Sequence, residues 1–222
     1  MIDVAIVIAA RNEADNIGNV VRAARTWGSV IVVDNASTDG TADEAWAAGA
    51  DVISHEQDTH IKQSYVDGFK RAARRFPFVV QMDAGKSHHP EEIRRLLMPL
   101  RAGIDMTIGS RFVAGSHLNN QGLRRRLLSV AGSALVRRRT GMPIRDLTSG
   151  FKAYRCELLQ ALDDDGVLDG LKARAHAFQF ELTHAIWKRG ATIWEVPITY
   201  TATGSSVDLR VIAEALRTLW LL

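Results

Sequence analysis

Strict alternation is what most constrains this chain. Continuous apolar runs of strand length take turns with segments of helical spacing, and only short polar turns join them. Val4 to Ala9 is the first run, and Asn12-Glu13 ends it. Ile17, Val20, Val21 and Ala24 then recur at helical spacing. Val30 to Val33 is the second run, closing on Asp34-Asn35. The turn Ser37-Thr38-Asp39-Gly40-Thr41 caps a helix from Ala42 to Ala48. Asp51 to Ser54 reads as a short third strand, and Ile61 to Arg75 as a helix with Tyr65, Phe69, Ala72 and Ala73 on one face. Phe76 to Met82 is a fourth strand, Glu91 to Leu100 a helix, and Ile104 to Ile108 a fifth strand. Strands without polar alternation predict a mostly parallel central sheet with helices on both faces, an α/β fold.

The fourth run ends abruptly in Met82-Asp83-Ala84-Gly85, and a polar turn follows. Pro90-Glu91-Glu92 then opens a helix, where proline is tolerated and acids complement the helix dipole. An acid at the carboxyl end of a central strand lies where such sheets bind ligands, although a loop cap would also explain it. The first strand runs into Ala9-Ala10-Arg11-Asn12-Glu13 with no glycine, which argues against a nicotinamide-binding fold.

The second half is less regular. Leu123 to Arg139 is a long helical stretch with Leu127, Leu128, Ala131, Ala134 and Leu135 on one side and arginine triplets at both ends. Asp146 to Arg155 reads as a turn and a short strand, and Phe178 to Arg189 as a helix. Thr192 to Thr199 is a strand whose Pro197 marks an edge or a bend. Val207 to Leu222 is a final helix with an apolar face ending in Leu219-Trp220-Leu221-Leu222, open to a membrane or to a second copy. With no internal repeat or linker, one domain over 1–222 is the economical reading.

Composition removes several classes. At 222 residues, with 46% apolar and 24% charged residues, the chain can bury a full core. A net charge of +3 does not call for nucleic acid, while the local arginine clusters can steer an anionic ligand or a membrane surface. The single cysteine, Cys156, excludes an internal disulfide, fits a reducing compartment and is expected to pack. No stretch approaches the roughly 20 apolar residues of a membrane span. The N-terminal run, broken by Arg11, reads as a strand rather than a signal peptide. A cytoplasmic location is expected, with peripheral contact at the inner membrane face left open.

Several segments, in order along nearly the whole chain, resemble the family 2 glycosyltransferases of GT-A fold, and most closely the dolichol-phosphate and other polyprenyl-phosphate sugar synthases. They are Ala9 to Glu13, Val32 to Thr41, Met82 to Gly85 with Ser87 to Pro90, Gly109 to Phe112, Asp146 to Arg155, Phe178 to Glu181, and Glu195 to Ile198. The resemblance implies a single Rossmann-like domain, with a nucleotide-sugar-binding half over 1–110 and an acceptor-binding half over 111–222. It implies a nucleotide-diphosphate sugar donor bound by Ala9, Arg11, Glu13, Val32, Asp34, Lys62, Asp83, Ala84, Gly85 and Lys86. Arg111, Arg125 and Ser129 would hold the acceptor phosphate, where an arginine fork suits phosphate oxygens. Asp83, Asp146 and Glu181 would be catalytic, with Asp146 the general base for a hydroxyl acceptor. Capping or ion-pair roles compete for Glu13, Asp34, Asp146 and Glu181.

The resemblance also implies Mg²⁺ or Mn²⁺ held by Asp83, the first acid of the family's Asp-x-Asp motif. Gly85 stands in place of the second acid, which leaves the metal requirement open, and the ammonium of Lys86 could supply part of the missing charge. The loop around Gly204 and Ser206 lacks the family's Arg and Lys, and His60 to Ser64 replaces a Gly-rich turn. His88 and His89, adjacent and followed by proline, are expected to be structural. The expected reaction is inverting transfer of a hexose, mannose or glucose, to a polyprenyl phosphate. A soluble hydroxyl acceptor, or a non-catalytic nucleotide-sugar-binding relative, is the alternative.

Overall fold

Valine and isoleucine runs build the centre of the molecule. This computed structural model describes residues 3–120, 122–202 and 209–222, with the side chains of 123–126, 128 and 209–212 outside the description. In chain order the elements are β1 (Val4–Ala10), α1 (Ala14–Ala24), β2 (Ser29–Asn35), α2 (Thr41–Ala47), β3 (Asp51–His55), α3 (His60–Ala73) and β4 (Phe78–Asp83). A 3-10 turn (Pro90–Glu92), α4 (Ile93–Arg101), β5 (Met106–Ser110), β6 (His117–Asn119), α5 (Leu123–Thr140) and β7 (Lys152–Arg155) follow. The rest is α6 (Cys156–Asp164), α7 (Val167–Gly170), α8 (Phe178–Lys188), β8 (Ile193–Pro197), β9 (Thr199–Thr201) and α9 (Leu209–Leu221).

One sheet runs in the order β3-β2-β1-β4-β7-β5-β8. β1 pairs in parallel with β2 and β4, and β2 with β3. Every residue from Val4 to Ile8 is fully buried. Ala5 and Val7 pack into one apolar core with Tyr65 and Phe69 of α3, while Val4, Ile6 and Ile8 pack into a second with Ile17, Val21 and Leu96. A strand between two cores has no polar face to alternate, which is why β1 reads as one unbroken apolar run.

The expected strands and helices are present, with ends shifted by a few residues. The late strand β7 enters the sheet between β4 and β5, antiparallel to both. Tyr154 explains the insertion: its ring packs edge-on against Phe69 at 5.3 Å and its hydroxyl donates to Gln81 Oε1 at 2.9 Å. Pro197 ends β8, an edge strand of the sheet, in keeping with an edge or bend. Cys156 opens α6 fully packed in the core. No helix among the described residues is long and apolar enough to cross a membrane.

The carboxyl ends of β1 and β2 are tied together by their loops. Asn12 takes the left-handed conformation (φ 53°) where dinucleotide folds use glycine, a region that asparagine tolerates. Its amide N–H donates to Ser37 Oγ at 2.9 Å, and its side-chain oxygen accepts the Thr38 N–H at 3.0 Å. The first amides of α1 are capped from the neighbouring loop: Glu13 N–H donates to Thr41 Oγ1 at 2.8 Å and Ala14 N–H to Asp39 Oδ2 at 3.1 Å. The Thr41 hydroxyl holds the Asp39 carboxyl below its usual pKa against an opposing desolvation, and the Ala14 and Thr41 amides add to the lowering.

Gly68 lets α3 lie close on β1. A Cβ there would come within 2.3 Å of Val7 Cγ1 in the fully packed core. Gly68→Ala is expected to cost about 1–3 kcal/mol by overpacking, despite alanine's better helix propensity. A lowered urea midpoint with an unchanged slope would show this, whereas an unchanged or raised midpoint would refute it.

Candidate active site

The parallel strands β1, β2 and β4 all finish on the same edge of the sheet, where α/β proteins bind ligands. A cavity of about 970 Å³ opens there. Ala9 and Arg11 from the end of β1, Asn35 from β2, and Asp58 and His60 ahead of α3 form one wall. Lys172 to Glu181 and the end of α9 supply residues of the other. Glu214 of α9 is anchored there, accepting the backbone N–H groups of Arg174 at 2.5 Å and Ala175 at 2.8 Å.

Asp83 and Arg111 are not among the residues that line this cavity. The Asp83 carboxylate is 38% exposed and accepts no hydrogen bond from the described residues. Its backbone N–H donates to His88 Nδ1 at 3.1 Å, and His88 Nε2 stands 3.6 Å from Asp83 Oδ2. The His88 ring stacks on Phe151 at 4.8 Å. Burial lowers its pKa, with the Asp83 charge opposing, so His88 is a neutral packing group. Gly150 permits this closeness: a Cβ there would meet Asp83 Oδ1 at 3.1 Å and Gln179 Nε2 at 3.7 Å.

Arg111 and Asp146 form the main buried ion pair. Arg111 donates from its backbone N–H and from Nε to Asp146 Oδ2, both at 2.8 Å, and from Nη2 to Asp146 Oδ1 at 2.7 Å. Nη2 also reaches Thr148 Oγ1 at 2.7 Å. Desolvation works against the guanidinium charge, but Asp146 outweighs it and the Arg111 pKa is raised. The guanidinium lies 5.2 Å from the ring centres of both Phe112 and Tyr200, within cation–π range. Its Nη1 has no hydrogen-bond partner among the described residues. Glu195 of β8 holds the loop by accepting the Asp146 N–H at 2.9 Å and the Arg145 N–H at 2.8 Å.

This geometry fits the alternative reading of Asp146 as an ion-pair partner. The carboxylate is fully buried and both of its oxygens accept hydrogen bonds from Arg111. Glu181 is also engaged: its oxygens accept the Lys172 and Ala173 amides at 2.8 Å each, although it lines the cavity. Val32 and Ala84 point into the apolar core, so only their backbone can meet a ligand. Asp34 is buried and accepts from the Ser37 hydroxyl and, at 3.3 Å, from the Ser37 amide, closing its turn.

Glu13 does not cap α1 with its side chain. Its Oε2 accepts from Asn16, while Oε1 lies 3.9 Å from the place of a Cβ on Gly85. Lys62 donates to Gln63 at 3.2 Å and is not among the cavity residues. Lys86 is exposed and Ser129 half-buried on α5. The Arg125 side chain, Gly204 and Ser206 lie outside the described residues. Sequence reasoning missed Asn35, Asp58, Gly150, Gln179 and the cavity side of α9. Asp58 and Arg11 are 47 residues apart with no motif between them, so no spacing could announce their contact.

Lys152 is the unusual charge beneath the site. It is wholly buried on β7, where Nζ donates to the Gln179 carbonyl at 2.8 Å and to Thr183 Oγ1 at 3.0 Å. Burial pushes its pKa down to about 7 from 10.5, with Asp146 opposing and Arg111 adding to the depression. Between these two values the unfolded chain keeps a proton that the folded chain has lost. Unfolding free energy therefore rises with pH from about 7 to 10.5, and this contribution is flat below that window. Denaturation curves at several pH values are expected to show this rise, and Lys152→Met to remove it. Equal slopes in both proteins would refute the assignment.

Residues 5–163 match the model of glycosyl transferase family 2. The polyprenol monophosphomannose synthase of Mycolicibacterium smegmatis is 36% identical over 206 residues, covering 88% of this chain and 76% of that protein. The undecaprenyl-phosphate mannosyltransferase of Micrococcus luteus is 37% identical over 177 residues, covering 77% and 71%. Among solved structures, glucosyl-3-phosphoglycerate synthase from Mycobacterium tuberculosis in complex with phosphoglyceric acid superposes with a TM-score of 0.72 at 22% identity, covering 99% of this chain and 80% of that one. The same enzyme with Mn²⁺, UDP-glucose and phosphoglyceric acid gives 0.70 at 23% identity, with the same coverage. These structures share the GT-A fold seen here. The chain belongs to glycosyl transferase family 2 and is a nucleotide-sugar-dependent glycosyltransferase.

Proposed function

We propose that this enzyme transfers a hexose, mannose first, from a nucleoside-diphosphate sugar to a polyprenyl phosphate. The observation that carries the reading is the Arg111 guanidinium. Asp146 fixes it in place, its Nη1 has no hydrogen-bond partner among the described residues, and Asp83 at the next parallel strand end lies within electrostatic reach. A rigid arginine fork suits a phosphate. Relatives above 35% identity whose names describe mannosyl transfer to polyprenyl lipids support the same acceptor class.

The nucleoside occupies the cavity at the ends of β1 and β2, and the diphosphate extends towards Asp83. An acceptor phosphate oxygen attacks the anomeric carbon opposite the leaving group. A new carbon–oxygen bond forms, the bond to the donor's β-phosphate oxygen breaks, and its electron pair leaves with the nucleoside diphosphate. The nucleophile is already anionic, so a proton acceptor is unnecessary, in keeping with the full engagement of Asp146. Arg111 binds and orients the acceptor phosphate, with Arg125 and Ser129 of α5 as further candidates. Lys86, exposed in the loop after Asp83, brings an ammonium towards the diphosphate.

A divalent ion fits this donor set only in company with the substrate. Among the described residues no group of three or more His, Cys, Asp or Glu could hold a metal. The Asp83 carboxylate accepts no hydrogen bond among the described residues, and Glu13 Oε1 lies beside Gly85 without a hydrogen-bond partner among them. Mg²⁺ typically uses one or two carboxylates together with substrate phosphates, which suits Asp83 and Glu13. Bound there, Mg²⁺ or Mn²⁺ would neutralise charge on the departing diphosphate.

The test is transfer of radiolabelled sugar from GDP-mannose or UDP-glucose into undecaprenyl phosphate in mixed micelles, with Mg²⁺, Mn²⁺ or chelator. Labelled lipid is expected, and Asp83→Ala should lower the rate by roughly two orders of magnitude. Transfer to a water-soluble hydroxyl acceptor, with none to lipid, would overturn the acceptor. Absence of transfer and of donor hydrolysis would overturn the enzymatic reading.

A further inference from the structure

We propose that Asp58 is a positioning residue for the donor nucleotide, holding the Arg11 guanidinium at the cavity wall as a platform for the base. This rests on the donor-binding reading above and adds a residue to it. Arg11 Nη1 pairs with Asp58 Oδ2, and both residues line the cavity at the end of β1. The other oxygen, Oδ1, accepts from Asn35 Nδ2 at 2.7 Å and from the His60 N–H at 2.9 Å. Asn35 is nearly buried at the end of β2, and its own oxygen accepts the Thr59 N–H at 2.9 Å. A chain of contacts therefore runs from the sheet through Asn35 and Asp58 to Arg11.

Two further features support the assignment. His60 adopts φ 68°, a conformation uncommon outside glycine, and the Asp58 carboxylate holds its amide. Those bonds from His60 and Asn35, followed by that from Arg11, keep the Asp58 carboxyl ionised below its usual range despite some desolvation. Arg11 and Asp58 are 50% and 38% exposed, so their pairing contributes little to stability. What it does is order a long side chain in advance. A planar guanidinium stacks on a flat ring, and binding is tighter when its rotamer entropy is already spent.

The experiment is calorimetric titration of the full chain with GDP, UDP, CDP and dTDP at one salt concentration, plus donor kinetics. For the nucleotide the wild type binds, Asp58→Ala and Arg11→Ala should each weaken affinity about tenfold. The double variant should be no weaker than Arg11→Ala alone, because the two residues act as one unit. Donor KM should rise in step while kcat changes less than about twofold. If Asp58→Ala fails to fold, Asp58→Asn carries the test: it keeps an oxygen for Asn35 and His60 but turns an amide towards Arg11, and the same loss is expected. Unchanged affinity in the variant tested, or losses that multiply in the double variant, would overturn the proposal while leaving the donor reading intact. A wild type that binds none of the four nucleotides would overturn both.

Discussion

A sheet buried on both faces leaves only its strand ends for chemistry. β1 has apolar cores on either side, so none of its faces can carry a polar group without desolvation cost. Polar side chains therefore gather where the strands stop. Asn12, Asn35 and Asp83 are all found there, at or just past the ends of β1, β2 and β4. The loops after β1 and β2 bond to one another across the edge, so this part of the molecule is a braced surface rather than a set of independent turns.

The corner around Arg111 obeys a different constraint. Arg111 is desolvated, and a buried guanidinium needs a paired carboxylate. Asp146 supplies it at the cost of its own availability. The pair depends on the loop before β7, which Glu195 holds from the edge strand β8. Three separated sequence segments thus converge on one buried ion pair. The same region contains the buried Lys152, whose charge feels both Asp146 and Arg111. Arg111 and Lys152 are both held in place by buried hydrogen bonds.

One departure from the family pattern changes local roles. Gly85 removes a carboxylate, and Glu13 from another strand end comes to lie beside the vacated position. Arg11, just past the end of β1, likewise pairs with Asp58 from 47 residues away. In both places the neighbour is distant in sequence, which only the folded edge could reveal.

Much was legible in the chain itself. Apolar runs closing on Asp34-Asn35 and Asp83 identified the buried strands and where they stop, because the burial of both faces is written directly into residue type. The segments Ala9 to Glu13, Gly109 to Phe112 and Asp146 to Arg155 identified the family, and with it the class of reaction. Other features were decided only by the tertiary structure. β7 inserts between β4 and β5 because Tyr154 fits against Phe69 and Gln81, a match between segments more than 70 residues apart. Asp146 has the composition of a base and the surroundings of an ion-pair partner. Local pattern specifies which residues are apolar and where a strand stops. Which carboxylate stays free depends on its through-space neighbours, and those are set by the packing of the whole chain.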